Sequence, residues 1–249
     1  MTAPVFVVDE LPSVGAEFVL DGPEGRHAVS VKRLRAGEDV VLTDGRGHWR
    51  EGVVEAAEGK DRLVVTDLAS LHEEPAPAPR ITVVQALPKG DRGELAVETM
   101  TETGVDAIVP WAASRCITQW KGDRGLKALA KWRATAREAG KQSRRVRFPE
   151  VADAATTRQV AALLAEADLA AVLHEDREYG SEPLATAELP SAGRIVLVVG
   201  PEGGVSPEEL ALFAEAGAKA YRLGRSVLRT STAGTAATAL LLGRTGRWS

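Results

Sequence analysis

The run Pro75-Ala76-Pro77-Ala78-Pro79 divides the chain into two stretches with different rhythms. Proline fixes φ and removes a backbone donor. Prolines alternating with alanine behind Leu71-His72-Glu73-Glu74 therefore favour an extended, weakly structured connector. Before it, short β-like runs recur at Glu17–Leu20, Asp39–Thr43, Gly52–Ala56 and Arg62–Asp67. Asp21-Gly22, Asp44-Gly45 and Glu58-Gly59 punctuate them as turns, and one helical stretch near His27–Arg35 interrupts them. This pattern predicts a mostly antiparallel domain of about 70 residues, the size of a small barrel.

After the connector, apolar strands alternate with helices. Strands are expected at Ile81–Leu87, Asp106–Trp111, Leu169–His174, Arg194–Val199 and Ala220–Leu223. Helices are expected at Arg92–Thr103 (ended by Gly104), Leu126–Ser143, Thr157–Ala167 and Ser231–Leu242. Another begins at Ser206, an N-cap with Pro207 in the first turn and Glu209 completing a capping box. Leu129, Trp132, Ala136 and Ala139 mark the core side of the long helix at helical spacing. Continuous apolar strands alternating with helices mean a covered, mostly parallel α/β sheet. The expected domains are residues 1–72, a linker at 73–80, and residues 81–249.

The composition narrows the function classes. A single Cys116 rules out an intrachain disulfide and any cysteine-rich metal site. His27, His48, His72 and His174 have no paired spacing, so no metal is expected. The N-terminus has neither the basic nor the apolar region of a signal peptide. No window approaches the ~18 apolar residues that span a bilayer. A cytoplasmic protein without membrane or metal partners is the expectation. The net charge of −4 disfavours a nucleic-acid partner at first sight, but phosphates respond to the local field. Basic residues cluster at Arg26, His27, Lys32, Arg33 and Arg35. They cluster again at Lys131, Arg133, Arg137, Lys141, Arg144, Arg145 and Arg147. Two such runs in an acidic chain favour RNA over small molecules, although a solvated face with acidic partners elsewhere also fits either run.

Ligands of a parallel sheet sit beyond the carboxyl ends of its strands. Three such ends carry unusual residues: His174-Glu175-Asp176, Gly200-Pro201-Glu202-Gly203-Gly204, and Leu223-Gly224-Arg225 continuing to Thr232. The glycine-rich loop lacks the GK[ST] of a phosphate loop and the spacing of a dinucleotide fingerprint. By itself it also fits a tight structural turn.

Val198-Val199-Gly200-Pro201-Glu202-Gly203-Gly204-Val205-Ser206-Pro207-Glu208-Glu209 resembles the GPEGG(L/F)S-x-x-E signature of the RsmE family. The run from Leu223 to Ala233 resembles that family's LG-x-R-(I/V)-LR-x-E-T-A segment. Lys89-Gly90-Asp91, Glu102-x-Gly104-Val105, Gln142-Ser143-x-Arg145 with Pro149-Glu150, and His27 with Leu34-Arg35-x-Gly37 are weaker matches. They extend the resemblance over nearly the whole chain. It implies a SPOUT α/β domain with a trefoil knot, preceded by a PUA-like β-barrel, in a homodimer. The implied activity is S-adenosylmethionine-dependent methylation of N3 of one uridine in 16S ribosomal RNA or the small ribosomal subunit.

Carried over by residue, the cofactor site would comprise His174, Glu175, Gly200, Pro201, Glu202, Gly203, Gly204, Leu223, Gly224, Val227, Leu228 and Arg229. Backbone groups and apolar walls suit a ligand that carries adenine and no phosphate. Leu223, Val227 and Leu228 could sandwich the adenine; core packing also fits Leu223 and Leu228. Arg229 is the catalytic candidate, because a guanidinium suits negative charge developing on a carbonyl oxygen; anchoring of its own loop is the alternative. RNA contacts would fall to Arg26, His27, Arg33, Arg35, Lys141, Arg144 and Arg145. The chain departs from the family pattern where Ser231 and Lys141 replace acids, so the general base is unassigned. Glu202 fits either a substitute base or a loop-fixing acceptor. Another SPOUT RNA methylation is the alternative activity, and a non-catalytic ribosome-assembly factor that binds RNA without S-adenosylmethionine is the alternative class.

Overall fold

The computed structural model describes residues 3–174 and 180–248. The chain forms two compact units, Met1–Ala76 with Gly140–Phe148, and Pro77–Ala139 with Pro149–Ser249.

The first unit contains β1 (Val5–Val7), β2 (Phe18–Leu20), β3 (Asp39–Thr43), β4 (His48–Glu58), β5 (Arg62–Thr66) and β6 (His72–Glu73). The hydrogen-bonded order is β1-β3-β4-β5-β2, with β6 on β4. All pairs are antiparallel except β1 with β3. Phe6, Leu20, Val40, Leu42, Val54, Leu63 and Val65 share one core. Residues of both end strands meet there, so the sheet must curl on itself as barrel-like sheets do. The expected helical stretch is a short helix α1 (Gly22–Arg26) running into a π-helical turn at His27–Lys32. That turn ends on Arg33, whose φ of 57° stops the helix in the left-handed region. Strand β1 was not anticipated, because three apolar residues beside the chain terminus carry little periodic signal. Part of the expected connector is also a strand: β6 pairs with β4, and His72 stacks on Trp49 with ring centroids 5.2 Å apart.

The second unit holds β7 (Arg80–Ala86), α2 (Arg92–Thr103), β8 (Ala107–Trp111), α3 (Gly122–Gln142) as far as Ala139, β9 (Glu150–Val151), α4 (Thr157–Ala165) and β10 (Leu169–Leu173). It continues through β11 (Glu182–Pro183), β12 (Arg194–Val199), α5 (Pro207–Glu215), β13 (Lys219–Arg222) and α6 (Thr230–Arg244). Its sheet has the order β11-β13-β10-β12-β7-β8-β9, and every pair is parallel. The central strands are buried along most of their length; Ile195, Leu197 and Val198 of β12 are fully covered, as strands between two helical layers must be. Gly104 ends α2 at φ 113°, a conformation that glycine adopts without strain. Thr156 with Gln159, and Ser206 with Glu209, close capping boxes on α4 and α5. Because all the strands run parallel, their carboxyl ends share one edge, where Ala86, Leu173, Val199 and Arg222 finish.

Candidate cofactor cleft

At that edge the segments following β10, β12 and β13 surround an open cleft of about 300 Å³. Its walls include Leu173 and His174, then Gly200, Pro201, Glu202 and Gly204, then Leu223 through Arg229. Arg92, Tyr221, Thr230 and Ala233 also line it.

The glycines of the first loop have separate reasons. A Cβ on Gly200 would lie 2.9 Å from Val205 Cγ2, so the chain turns there only without a side chain. Gly204 has φ +73°. Gly203, expected in the cofactor wall, is not among the lining residues. Its side faces Arg115, where a Cβ would come 3.2 Å from Arg115 Cβ, and its carbonyl accepts from Arg115 Nη1 at 3.1 Å. Sequence spacing could not separate the two neighbouring glycines.

Glu202 accepts hydrogen bonds from the segment that follows β7. Its Oε1 takes the Lys89 N–H at 3.1 Å and an Arg92 Nη1 proton at 3.4 Å. Arg92 itself lines the cleft and was not singled out from the sequence; its place after the KGD run was the available signal. Val227 is 72% exposed and Leu228 38%, so the second loop offers uncovered apolar side chains to the cleft. Arg229, also exposed, stands at the N-cap of α6. Among the described residues its guanidinium makes no hydrogen bond or ion pair, while its backbone carbonyl caps the helix by accepting from Thr232 and Ala233. Burial pushes the Tyr221 phenol above its ordinary range, with the Glu182 and Glu188 carboxylates adding to the shift. It is therefore a neutral wall near pH 7. Ser231 is buried and is not part of the lining. Glu175 lies outside the described residues.

A second unforeseen residue holds the cleft's supporting segments. Glu209 is 4% exposed, and its Oε1 accepts from Ser114 N–H at 2.8 Å and the Thr157 hydroxyl at 3.1 Å. Its Oε2 accepts from Ser206 N–H at 3.1 Å. One carboxylate thus ties the exit of β8, the start of α4 and the end of the glycine-rich loop. Its sequence signal was the capping box alone. Glu209→Ala should lower unfolding stability by roughly 2–3 kcal/mol, since three donors lose a charged acceptor. Chemical denaturation checks this, and an unchanged midpoint would mean the three donors find other partners.

The basic clusters need a correction. Lys141, expected to contact RNA, is buried, and its Nζ lies 2.9 Å from Glu24 Oε1 inside the first unit. A side chain so placed cannot meet a phosphate. Lys131 pairs with Glu94, Arg133 with Asp153 and Arg147 with Glu74, so acids distant in sequence offset much of the second run. Arg26, Arg33, Arg35 and Arg144 are exposed, Arg145 is half-buried, and all five belong to the first unit. His27 is half-buried, edge-on to Phe6 at 6.2 Å between centroids.

Residues 74–242 match the family described as RNA methyltransferase domain, and residues 20–68 match the RNA methyltransferase PUA domain. The chain is 46% identical to a ribosomal RNA small subunit methyltransferase E of Mycobacterium tuberculosis, over 100% of this chain and 94% of that protein. It is similar to the ribosomal RNA small subunit methyltransferase E of Neisseria gonorrhoeae, solved with S-adenosyl methionine. The TM-score is 0.84 at 30% identity, over 98% of each chain. A methyltransferase structure from Legionella pneumophila with bound SAM superposes with TM-score 0.85 at 27% identity, again over 98% of each chain.

Proposed function

The chain belongs to the ribosomal RNA small subunit methyltransferase E (RsmE) family, and from that membership we propose that it transfers a methyl group from S-adenosylmethionine to N3 of a specific uridine in 16S ribosomal RNA. The observation that carries this reading is the cleft at the carboxyl edge of the parallel sheet, walled by a glycine-rich loop and a second loop with uncovered apolar side chains. Those walls fit the cofactor. Gly200 and Gly204 allow close backbone approach, and Leu223, Val227 and Leu228 offer apolar surface for an adenine. When bound, that cofactor supplies an electrophilic methyl group on a sulfonium.

The chain's own residues must do the rest. Uridine N3 carries a proton, and its loss leaves negative charge shared with the adjacent carbonyl oxygens. Arg229, which lines the cleft and whose guanidinium has no partner among the described residues, would hydrogen-bond such an oxygen. Among the described lining residues Glu202 is the one carboxylate, and Lys89 and Arg92 occupy it. Its assignment is therefore to hold the loop. The target base must be single-stranded or drawn out of its helix, because N3 lies on the pairing edge.

RNA binding is assigned to the first unit, a PUA-like barrel, through Arg26, His27, Arg33, Arg35, Arg144 and Arg145. Such contacts position phosphates without reading sequence. Family membership further implies a trefoil knot in the C-terminal third, a homodimer and action in the cytoplasm.

The test pairs two measurements. Calorimetry with S-adenosylhomocysteine should give saturable binding at about one site per chain. Nucleoside mass spectrometry of 16S ribosomal RNA after incubation with the protein and S-adenosylmethionine should reveal 3-methyluridine. A different methylated nucleoside would move the chain to another RNA specificity, and no binding by folded protein would remove the cofactor assignment. Gly204→Val should weaken S-adenosylhomocysteine binding at least about tenfold, since a β-branched residue at φ +73° is strained. Unchanged affinity would take that glycine out of the site.

A further inference from the structure

Behind the cleft, β7 ends with a buried polar side chain that the methyl transfer described above does not use. Gln85 is fully buried. Its Nε2 donates to the Ala86 carbonyl at 3.0 Å and to Thr230 Oγ1 at 3.0 Å. Thr230 Oγ1 in turn donates to the Gly200 carbonyl at 2.9 Å. Proton bookkeeping fixes the direction of this chain. The Ala86 carbonyl can only accept, so the atom facing it must be the amide nitrogen. The second amide proton then points at Thr230 Oγ1, which must accept. The single hydroxyl proton of Thr230 is left for Gly200.

Two further observations argue that the amide is present for its donor. Gln85 Oε1 is buried with no hydrogen-bond partner among the described residues, which is costly for a core position. A leucine would fill similar space without that cost. The oxygen also sits against Gly234, where a Cβ would come within 3.6 Å of it and within 2.6 Å of Met100 Sδ. The surrounding core is thus fitted closely around this side chain.

The relay joins the two walls of the cleft. Gly200 opens the glycine-rich loop, and Thr230 is the first residue of α6, directly after Arg229. The Gly200–Pro201 peptide has no N–H, so its carbonyl is its only hydrogen-bonding group, and Thr230 holds it inward. We propose that Gln85 is a positioning residue for the methyl-transfer site: through Thr230 it fixes the Gly200 carbonyl and so sets the spacing between the glycine-rich loop and the Arg229 end of α6. This inference rests on the cleft being the S-adenosylmethionine site.

The test measures S-adenosylhomocysteine affinity by calorimetry for wild type, Gln85→Leu, Thr230→Val, the double variant and Thr230→Ser, each with its thermal midpoint. Thr230→Val removes the donor to that carbonyl, and Gln85→Leu removes the donor that turns the Thr230 hydroxyl toward it. Each single variant should therefore lose about tenfold in affinity, and the double variant should lose no more than either one. Thr230→Ser, which keeps the hydroxyl, should recover most of what Thr230→Val loses. Affinity for ribosomal RNA should stay at the wild-type level throughout. Losses that multiply in the double variant would mean two independent packing defects and would overturn the relay. Wild-type affinity in Thr230→Val would do the same. If Gln85→Leu does not fold, the near-isosteric Gln85→Met, which also lacks the amide donor, takes its place in the comparison. Failure of the wild-type protein to bind would instead strike the cofactor assignment, which separates the two outcomes.

Discussion

Arg229→Ala is expected to lower turnover on ribosomal RNA by about 100- to 1000-fold while leaving S-adenosylhomocysteine affinity within about threefold of wild type. The size follows from what the guanidinium is asked to do. Negative charge spreads onto the uracil carbonyl oxygens only as N3 becomes a nucleophile, so an interaction with that charge stabilises the transition state more than either ground state. A preorganised donor in such a site contributes about 2.7–4 kcal/mol. Arg229 is exposed in the cleft lining, and its guanidinium has no competing carboxylate among the described residues. Its backbone carbonyl, which accepts from Thr232 and Ala233, is retained in the alanine variant, so the start of α6 should hold. Arg229→Lys should recover little, because an ammonium cannot reproduce the planar fork of donors. Single-turnover rates separate chemistry from binding. Parallel losses in rate and cofactor affinity would make Arg229 a loop anchor instead.

The chain's alternation of strands and helices was legible because periodicity and caps are local. Strand β12 and helix α2 fall where their residues place them, and the Ser206–Glu209 capping box forms as read. Short pairings such as β1, β6, β9 and β11 escaped, since two or three residues carry no period and their pairing is decided by partners far along the chain. The cleft itself was legible through the two loops at the carboxyl edge. What was not legible is direction within them. Nothing in the spacing distinguishes Gly203, turned to Arg115, from Gly204, which lines the cleft. Partners from other segments were equally hidden. Arg92 on Glu202, Ser114 and Thr157 on Glu209, and Gln85 on Thr230 are each joined across many residues. The same limit explains the basic run from Lys131 to Arg147, which reads as a cationic face until Glu94, Asp153, Glu24 and Glu74 are brought to it.

Lys141→Glu, which restores the acid of the family pattern at this position, is expected to destabilise the protein by about 3–5 kcal/mol. In this chain the side chains of Lys141 and Glu24 are 6% and 13% exposed and meet at 2.9 Å. Glu24 also accepts the Val7 N–H through Oε2 at 3.3 Å, which couples the pair to strand β1. A second carboxylate there would leave two acids facing each other out of water, and one must take up a proton or the contact must open. The replacement of the family acid at this position is therefore a matter of local charge pairing within the first unit. Three variants separate the causes. Lys141→Met should also destabilise, because it removes the ammonium from Glu24 Oε1. Lys141→Met with Glu24→Leu should recover most of the loss, since a buried ion pair replaced by apolar groups is often neutral. Lys141→Glu with Glu24→Lys should recover only part, because the lysine cannot accept from Val7. Chemical denaturation reads all of these, and S-adenosylhomocysteine affinity should stay within about twofold, because Lys141 does not line the cleft. A Lys141→Glu protein as stable as wild type would show that the family acid and this lysine are interchangeable. The buried pair would then contribute nothing to the unit it sits in.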